Sequence, residues 1–331
     1  MGSRGSGNLE LRNKRVLVTG GAGFIGSHLV DHLLERNNTV IVYDNFDDFY
    51  TGKERNIQHN MKNRRFRLIE DSILNYEALT SAMNGVDVVF HEAAQCGIRY
   101  CIENPRKAHE VNVAGTLNVL MSVRQANVKK VVFASSSGIF GMTHYVPMDE
   151  KHPTNPNSPY GATKLAAEKY CLAFHEVYGV DVVCLRYFSV YGPRGRPDQV
   201  IHAFASAISK NERPVIYGDG TQTRDFTYVS DIVEATILAA EFDDVAGEIF
   251  NIGHGGEISI NEVFSKVVEK LGKKGKITPV YKEAYKGEFP RTFADNSKAC
   301  RVLGWKPKIG FDEGLDMFVE WFITHQLTCK R

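Results

Sequence analysis

Short apolar runs alternate with amphipathic stretches over the first half of the chain. Residues 15–19 are apolar and β-branched and are closed by glycine, the pattern of a short buried parallel strand. Phe24 to Glu35 reads as a helix with Ile25, Leu29, His32 and Leu33 on one face. Val40-Ile41-Val42-Tyr43 is a second strand ending in Asp44, and Lys130-Val131-Val132-Phe133-Ala134 is another, running into Ser135-Ser136-Ser137-Gly138. Helical patterns cover Val113 to Gln125 and Gly161 to Glu176, the latter with Pro159 at a suitable start. The alternation to about Val183 predicts an α/β fold with a doubly wound parallel sheet of the Rossmann type. Beyond Arg186 the pattern is shorter and broken by glycine and proline at 192–197 and 218–220. That predicts a smaller α/β substrate domain and a cleft between the two. The expected boundaries are 8–185 and 186–327, with some later segments returning to the first sheet.

The turn after the first strand carries candidate chemistry. Thr19-Gly20-Gly21-Ala22-Gly23-Phe24-Ile25-Gly26 places glycines between a strand and a helix. Glycine lets the backbone turn tightly and approach a ligand closely. The helix start then offers free N–H groups and a positive dipole end to phosphate. Asp44 ends the next strand, where an acid suits the 2′-hydroxyl of an adenosine ribose and repels a 2′-phosphate. The pattern predicts NAD rather than NADP, with Lys53 and Arg55 nearby as the opposing signal.

Tyr160-Gly161-Ala162-Thr163-Lys164 supplies a base. Free tyrosine, with a pKa near ~10, is a poor base at neutral pH, and a neighbouring cation favours its phenolate. Residues i and i+4 of a helix share a face, so Lys164 can stand beside Tyr160. No other tyrosine here has a lysine four residues later. A surface helix pair explains the spacing equally well, until the upstream nucleotide motif is considered. Ser135, Ser136 and Ser137 end a strand where open α/β sheets bind ligands, so they are candidate partners for a substrate oxygen, or simply turn residues.

Composition narrows the classes. With 40 basic and 39 acidic residues the net charge is +1, which leaves no footprint for nucleic acid or a basic membrane surface. No apolar stretch approaches the roughly 20 residues of a spanning helix. The start, Met1 to Gly7, reads as a cloning remnant without the apolar core of a signal peptide. Six scattered cysteines form no metal-type pair, and the chain is expected to be cytoplasmic with reduced thiols and no metal.

These motifs resemble the extended short-chain dehydrogenase/reductase family over nearly the whole chain, from Lys14 to about Phe322. The likeness rests on Gly20, Gly23 and Gly26, on His91-Glu92-Ala93-Ala94-Gln95, on Asn112, on the serine strand end with Gly141, and on Tyr160 with Lys164. Leu185-Arg186-Tyr187-Phe188, Tyr191-Gly192-Pro193 and the run Tyr217 to Phe226 are similar to the nucleotide-sugar 4-epimerases within it. The resemblance implies that Tyr160 takes the proton from a sugar O4 while the C4 hydride passes to NAD. Ser136 would hydrogen-bond O4, with Ser135 and Ser137 as near alternatives, and Lys164 would also hold the nicotinamide ribose. It implies cofactor contacts from Phe24, Ile25, Asp44, Asn45, Asp71, Ser72, Ile73, Ala93, Ala94, Gln95, Asn112, Ser135 and Tyr187. For a UDP-sugar it implies diphosphate contact from Arg224 and a uracil pocket from Pro214, Val215, Ile216 and Tyr217. Three positions depart from the family pattern: Ser189 replaces a diphosphate-binding asparagine, Lys286 a second arginine, and Ser72 an aspartate that Asp71 can replace.

Two features bear on the sugar. Thr292 stands where relatives restricted to UDP-glucose carry tyrosine, which leaves room for an N-acetyl group. Pro193-Arg194-Gly195-Arg196-Pro197-Asp198 resembles UDP-glucuronate 4-epimerases, which also tend to carry threonine at the position of Thr292, and Arg194 or Arg196 would meet a carboxylate there or sit on a surface loop. The expected activity is 4-epimerisation of UDP-N-acetylglucosamine, with UDP-glucuronate next and UDP-glucose accepted. A 4,6-dehydratase needs an acidic pair where Ser137 and Gly138 stand. A UDP-glucuronate decarboxylase and a non-catalytic nucleotide sensor are more remote, the sensor because both Tyr160 and Lys164 are present. The apolar stripes of the helices at 113–125 and 163–178 suit a two-fold homodimer, or equally core packing.

Overall fold

The computed structural model describes residues 10–285, 287 and 289–328. Its centre is a seven-stranded parallel sheet. The first six strands in chain order are β1 (Arg15–Thr19), β2 (Thr39–Asp44), β3 (Phe66–Glu70), β4 (Val88–His91), β5 (Lys130–Ser136) and β6 (Val182–Tyr187). Four short strands follow: β7 (Val190–Tyr191), β8 (Val215–Tyr217), β9 (Thr223–Arg224) and β10 (Thr227–Tyr228). The last three are β11 (Ile249–Ile252), β12 (Ile258–Ser259) and β13 (Val280–Lys282). The sheet order is β11-β6-β5-β4-β1-β2-β3, so the winding reverses between β1 and β4. At such a reversal the loops leaving neighbouring strands diverge and open a crevice beyond the strand ends.

Side chains along β1 alternate between two apolar layers, as the pleat requires. Val16 and Val18 pack with Leu29, Val30, Leu33 and Leu34 of the helix Phe24–Glu35. Leu17 faces the other layer, with Val119, Leu120 and Val123 of the helix Thr116–Gln125. Full burial of each such aliphatic side chain contributes about 1.5–3 kcal/mol. The Phe24–Glu35 helix has the expected bounds, but His32 is exposed. The buried stripe runs through Leu29, Val30, Leu33 and Leu34, and position 32 projects off it. The helical pattern predicted from Val113 also changes character. An i to i+5 turn spans Glu110–Gly115, and the α-helix proper begins at Thr116. Such wide turns are frequent at functional sites, and this one contains Asn112.

A third apolar cluster, with Phe204, Ile216, Val263 and Phe318, fills the later half of the chain. There β7 pairs with β10, β9 with β12 and β8 with β13. A cut at 186 falls inside β6, and β11 lies against β6 with Asn251 opposite Arg186. Among the described residues no helix is long and apolar enough to cross a membrane.

Candidate active site

One cleft opens at the carboxyl ends of β1, β2, β4 and β5, and its walls include Gly20, Phe24, Asp44, Gln95, Tyr160 and Lys164. The glycine loop forms its floor. Gly20 has φ +68°, and a Cβ there would lie 2.7 Å from the Ala93 backbone. A Cβ on Gly26 would lie 2.2 Å from the Gly20 carbonyl oxygen. Only glycine fits both positions. Gly23 caps the following helix with no side-chain bond, so the N–H groups at the helix start are not satisfied by a side-chain cap.

Asp44 is buried at the end of β2, and its carboxylate accepts the Ala22 N–H at 3.0 Å and the Phe46 N–H at 2.9 Å. Burial pushes its carboxyl above the usual carboxylate range, against those two hydrogen bonds and the Lys53 charge. It therefore braces the glycine loop as well as facing the cleft. Asn45, Asp71, Ser72, Ile73, Ala93 and Ala94 also wall the cleft, together with Gly23, Ile25, Gly26 and the Tyr187 ring.

Asn112 takes a different place. It is fully buried beneath the wall, where its Oδ1 accepts the Gln95 N–H at 2.7 Å. Its Nδ2 donates to the Gln95 carbonyl and to the Thr163 hydroxyl, each at 3.0 Å. It thus ties the loop after β4 to the Tyr160 helix and does not line the cleft.

Tyr160 is the second residue of the helix Pro159–Tyr178, which the Ser158 hydroxyl caps by accepting the Gly161 N–H at 3.2 Å. Burial pushes the Tyr160 phenol up to about 12, and the Ser136 hydroxyl beside it works in the opposite direction. Ser136 Oγ also accepts the Gly138 N–H at 3.1 Å. Lys164, one turn on, is buried and pushed down to about 8 by desolvation, opposed by the nearby Glu92 charge. Its Nζ lies 4.5 Å from the centroid of the Phe133 ring. Glu92 is itself pushed up to about 7 by burial and accepts the Tyr187 hydroxyl at 2.9 Å.

The other two serines are otherwise engaged. Ser135 borders the cleft, but its hydroxyl donates to Glu168 at 2.6 Å. Ser137 is buried in the short turn after β5.

The residues expected to hold substrate divide. Ser189, Val215, Ile216, Tyr217, Arg224 and Thr292 all belong to the later half, and none lines the cleft described above. Ile216 is buried, and Val215 and Tyr217 flank it on β8. Arg224 donates to the Thr223 carbonyl at 2.8 Å, with its guanidinium carbon 5.0 Å from the Phe289 ring centroid. Thr292 is buried, and its hydroxyl accepts the Asp225 N–H at 3.2 Å. Arg194 pairs with Asp31 of the Phe24–Glu35 helix at 2.8 Å. Arg196, not Arg194, borders the cleft, and it makes two bonds to Asp198 at 2.9 and 3.0 Å. Lys286 lies outside the described residues.

Sequence reasoning missed several wall residues. Asp47, Phe49 and Tyr50 reach the cleft from the loop after Asp44, and Cys96 from the loop after β4, while Lys53, expected only as a signal against NAD, also reaches it from the start of the helix Lys53–Ile57. Two aromatics so soon after the expected ribose acid were the available signal. It also missed Glu168 and Arg186, because a buried ion pair between a helix and a strand leaves no spacing signature.

Comparison with known proteins agrees with this geometry. The family described as GDP-mannose 4,6 dehydratase matches residues 17–318, and the chain belongs to it, within the extended short-chain dehydrogenase/reductases. A UDP-glucuronate 4-epimerase of Thermodesulfobacterium geofontis is 40% identical over 92% of this chain and 95% of its own. The UDP-N-acetylglucosamine 4-epimerase from Methanobrevibacter ruminantium M1, solved with UDP-N-acetylmuramic acid, is 36% identical with a TM-score of 0.87, covering 95% of this chain and 99% of that one. The UDP-glucuronic acid 4-epimerase from Bacillus cereus, solved with UDP-glucuronic acid and NAD, is 34% identical with a TM-score of 0.89, covering 94% and 99%.

Proposed function

We propose that the protein interconverts UDP-N-acetylglucosamine and UDP-N-acetylgalactosamine, within the activity that its family and relatives define, NAD-dependent 4-epimerisation of a UDP-sugar. The observation that carries the class is the contact of Ser136 with Tyr160, one helical turn from buried Lys164, at the mouth of a glycine-loop cleft. In this reading the Tyr160 phenolate removes the O4 proton while Ser136 holds the same oxygen. NAD, which the glycine loop and Asp44 would hold, would supply the hydride acceptor for C4 and the hydride donor for the opposite face of the 4-keto sugar. Tyr160 then gives the proton back, so atoms and electrons balance over the cycle. Proton transfer by a positioned side chain is worth roughly 10²–10⁴-fold.

Elimination chemistry is not supported by the strand end. Ser137 and Gly138 follow Ser136, so no acidic pair stands there. The N-acetyl preference is supported by the small Thr292, whose hydroxyl is turned onto the Asp225 N–H. A second reading, UDP-glucuronate, is favoured by Arg196 at the cleft. Product analysis with UDP-N-acetylglucosamine, UDP-glucuronate and UDP-glucose in parallel tests this. Fastest conversion of the N-acetyl sugar supports the first reading, exclusive turnover of UDP-glucuronate replaces it with the second, and no turnover of any with NAD supplied defeats both.

We also propose a homodimer across the helices Thr116–Gln125 and Pro159–Tyr178, supported by exposed Met121, Tyr170, Val177 and Tyr178 on them. Sedimentation velocity at micromolar concentration tests it, and a single monomeric species would defeat it.

A further inference from the structure

Arg99 bridges the two halves of the chain. It stands on the short helix Ile98–Glu103, and its guanidinium carbon lies 3.8 Å from the ring centroid of Tyr217 and 3.8 Å from that of Tyr285. The two rings are 4.2 Å apart, tilted by 46°. The parallel pairing of β8 with β13, with Tyr217 opposite Lys282, is what brings Tyr285 beside Tyr217. A guanidinium on two aromatic rings is held by their quadrupoles, and being planar it stacks while its N–H edge stays available.

The other side of this helix is anchored to the cofactor cleft. Gly97, just before it, has φ +88°, and a Cβ there would lie 2.6 Å from the Phe49 ring. Phe49 packs edge-on against Tyr100 with centroids 4.8 Å apart. Lys107 donates to the Tyr100 hydroxyl at 3.1 Å and pairs with Asp47 at 2.7 Å. Phe49 and Asp47 both line the cleft. A continuous line of contacts therefore runs from the loop after β2, through this helix and Arg99, to Tyr217 and Tyr285.

We infer that Arg99 is a positioning residue for the nucleotide, clamping the Tyr217–Tyr285 pair of the substrate half onto the cofactor half and so setting how tightly the pyrimidine end of the UDP-sugar is held. The inference rests on the proposed UDP-sugar reading, in which Tyr217 walls the uracil site. Arg99 does not act on the reacting C4. Without the clamp both rings lose the guanidinium stacked on them, and binding has to supply the part of their ordering that it now provides in advance.

The test is calorimetric titration of UDP into the NAD-loaded protein, with kcat and KM for the preferred UDP-sugar, in wild type and Arg99→Ala. The dissociation constant for UDP and the KM rise about tenfold, while kcat stays within about twofold and bound NAD is unchanged. Arg99→Lys recovers part of the loss, because it keeps the charge and loses the planar stack. Tyr285→Ala matches Arg99→Ala, and the double variant is no worse than either single one. Unchanged or tighter UDP binding in Arg99→Ala overturns the inference, as does a fall in kcat together with loss of NAD. If wild type itself fails to bind UDP, the reading beneath the inference is what fails.

Discussion

Glu168 and Arg186 form a bidentate ion pair in the interior, with Nε to Oε2 at 3.1 Å and Nη2 to Oε1 at 2.8 Å. Both side chains are at most 2% exposed. Glu168 lies on the helix Pro159–Tyr178 one turn beyond Lys164, and Arg186 lies on β6. Ser135 donates to the same Oε2, and Arg186 Nη1 donates to the Glu150 carbonyl at 3.0 Å. The pair thus locks the helix that presents Tyr160 to the strand end that presents Ser136.

Removing one partner leaves the other charge buried and uncompensated, which costs about 3–5 kcal/mol. Glu168→Gln and Arg186→Met should each lose that much in urea unfolding. The double variant Glu168→Leu/Arg186→Met should recover most of it. Singles within about 1 kcal/mol of wild type would show that the pair carries little of the fold.

Tyr160→Phe keeps the ring and removes the hydroxyl that the proposed mechanism uses as base. Its kcat should fall by roughly 10²–10⁴-fold, with KM and bound NAD close to wild type. A variant retaining a tenth of wild-type kcat would move the proton-transfer role to another group.

Lys164 is held down to about 8, so it loses its charge as pH rises through that value. In the proposed mechanism its cation favours the Tyr160 phenolate, so kcat/KM should decline on the alkaline side of about 8. The Glu92 charge raises the Lys164 value, so Glu92→Gln should move this limb to lower pH. For stability the sign is the reverse. A folded value below the ordinary 10.5 means that the unfolded chain binds more protons between about 8 and 10.5, so this group's contribution to stability rises with pH in that window. A pH profile that is identical in wild type and Glu92→Gln would dismiss the coupling.

Asp44→Asn keeps an acceptor for the Ala22 and Phe46 N–H groups and removes the charge. The preference for NAD over NADP should relax about tenfold in cofactor titrations, with the melting temperature within a few degrees of wild type. Unaltered selectivity would place the discrimination elsewhere, at Lys53 for instance, which also borders the cleft.

What the chain by itself determined is what local periodicity and turn chemistry carry. The strand, glycine loop and helix at 15–35 follow from β-branched runs and from glycines whose positions tolerate no Cβ. Tyr160 and Lys164 share a helix face because their spacing is helical, and Asp44 ends its strand at the cleft. Only the tertiary structure decided which polar groups meet across elements. It turned Ser135 away to Glu168, took Asn112 beneath the wall, and seated Arg194 on Asp31 while Arg196 reached the cleft. It also brought Arg99 to Tyr217, a contact between residues more than a hundred positions apart. Hydrogen bonds and ion pairs between distant segments depend on how the layers dock. A one-dimensional pattern records which face of an element is apolar, not which neighbour that face will find.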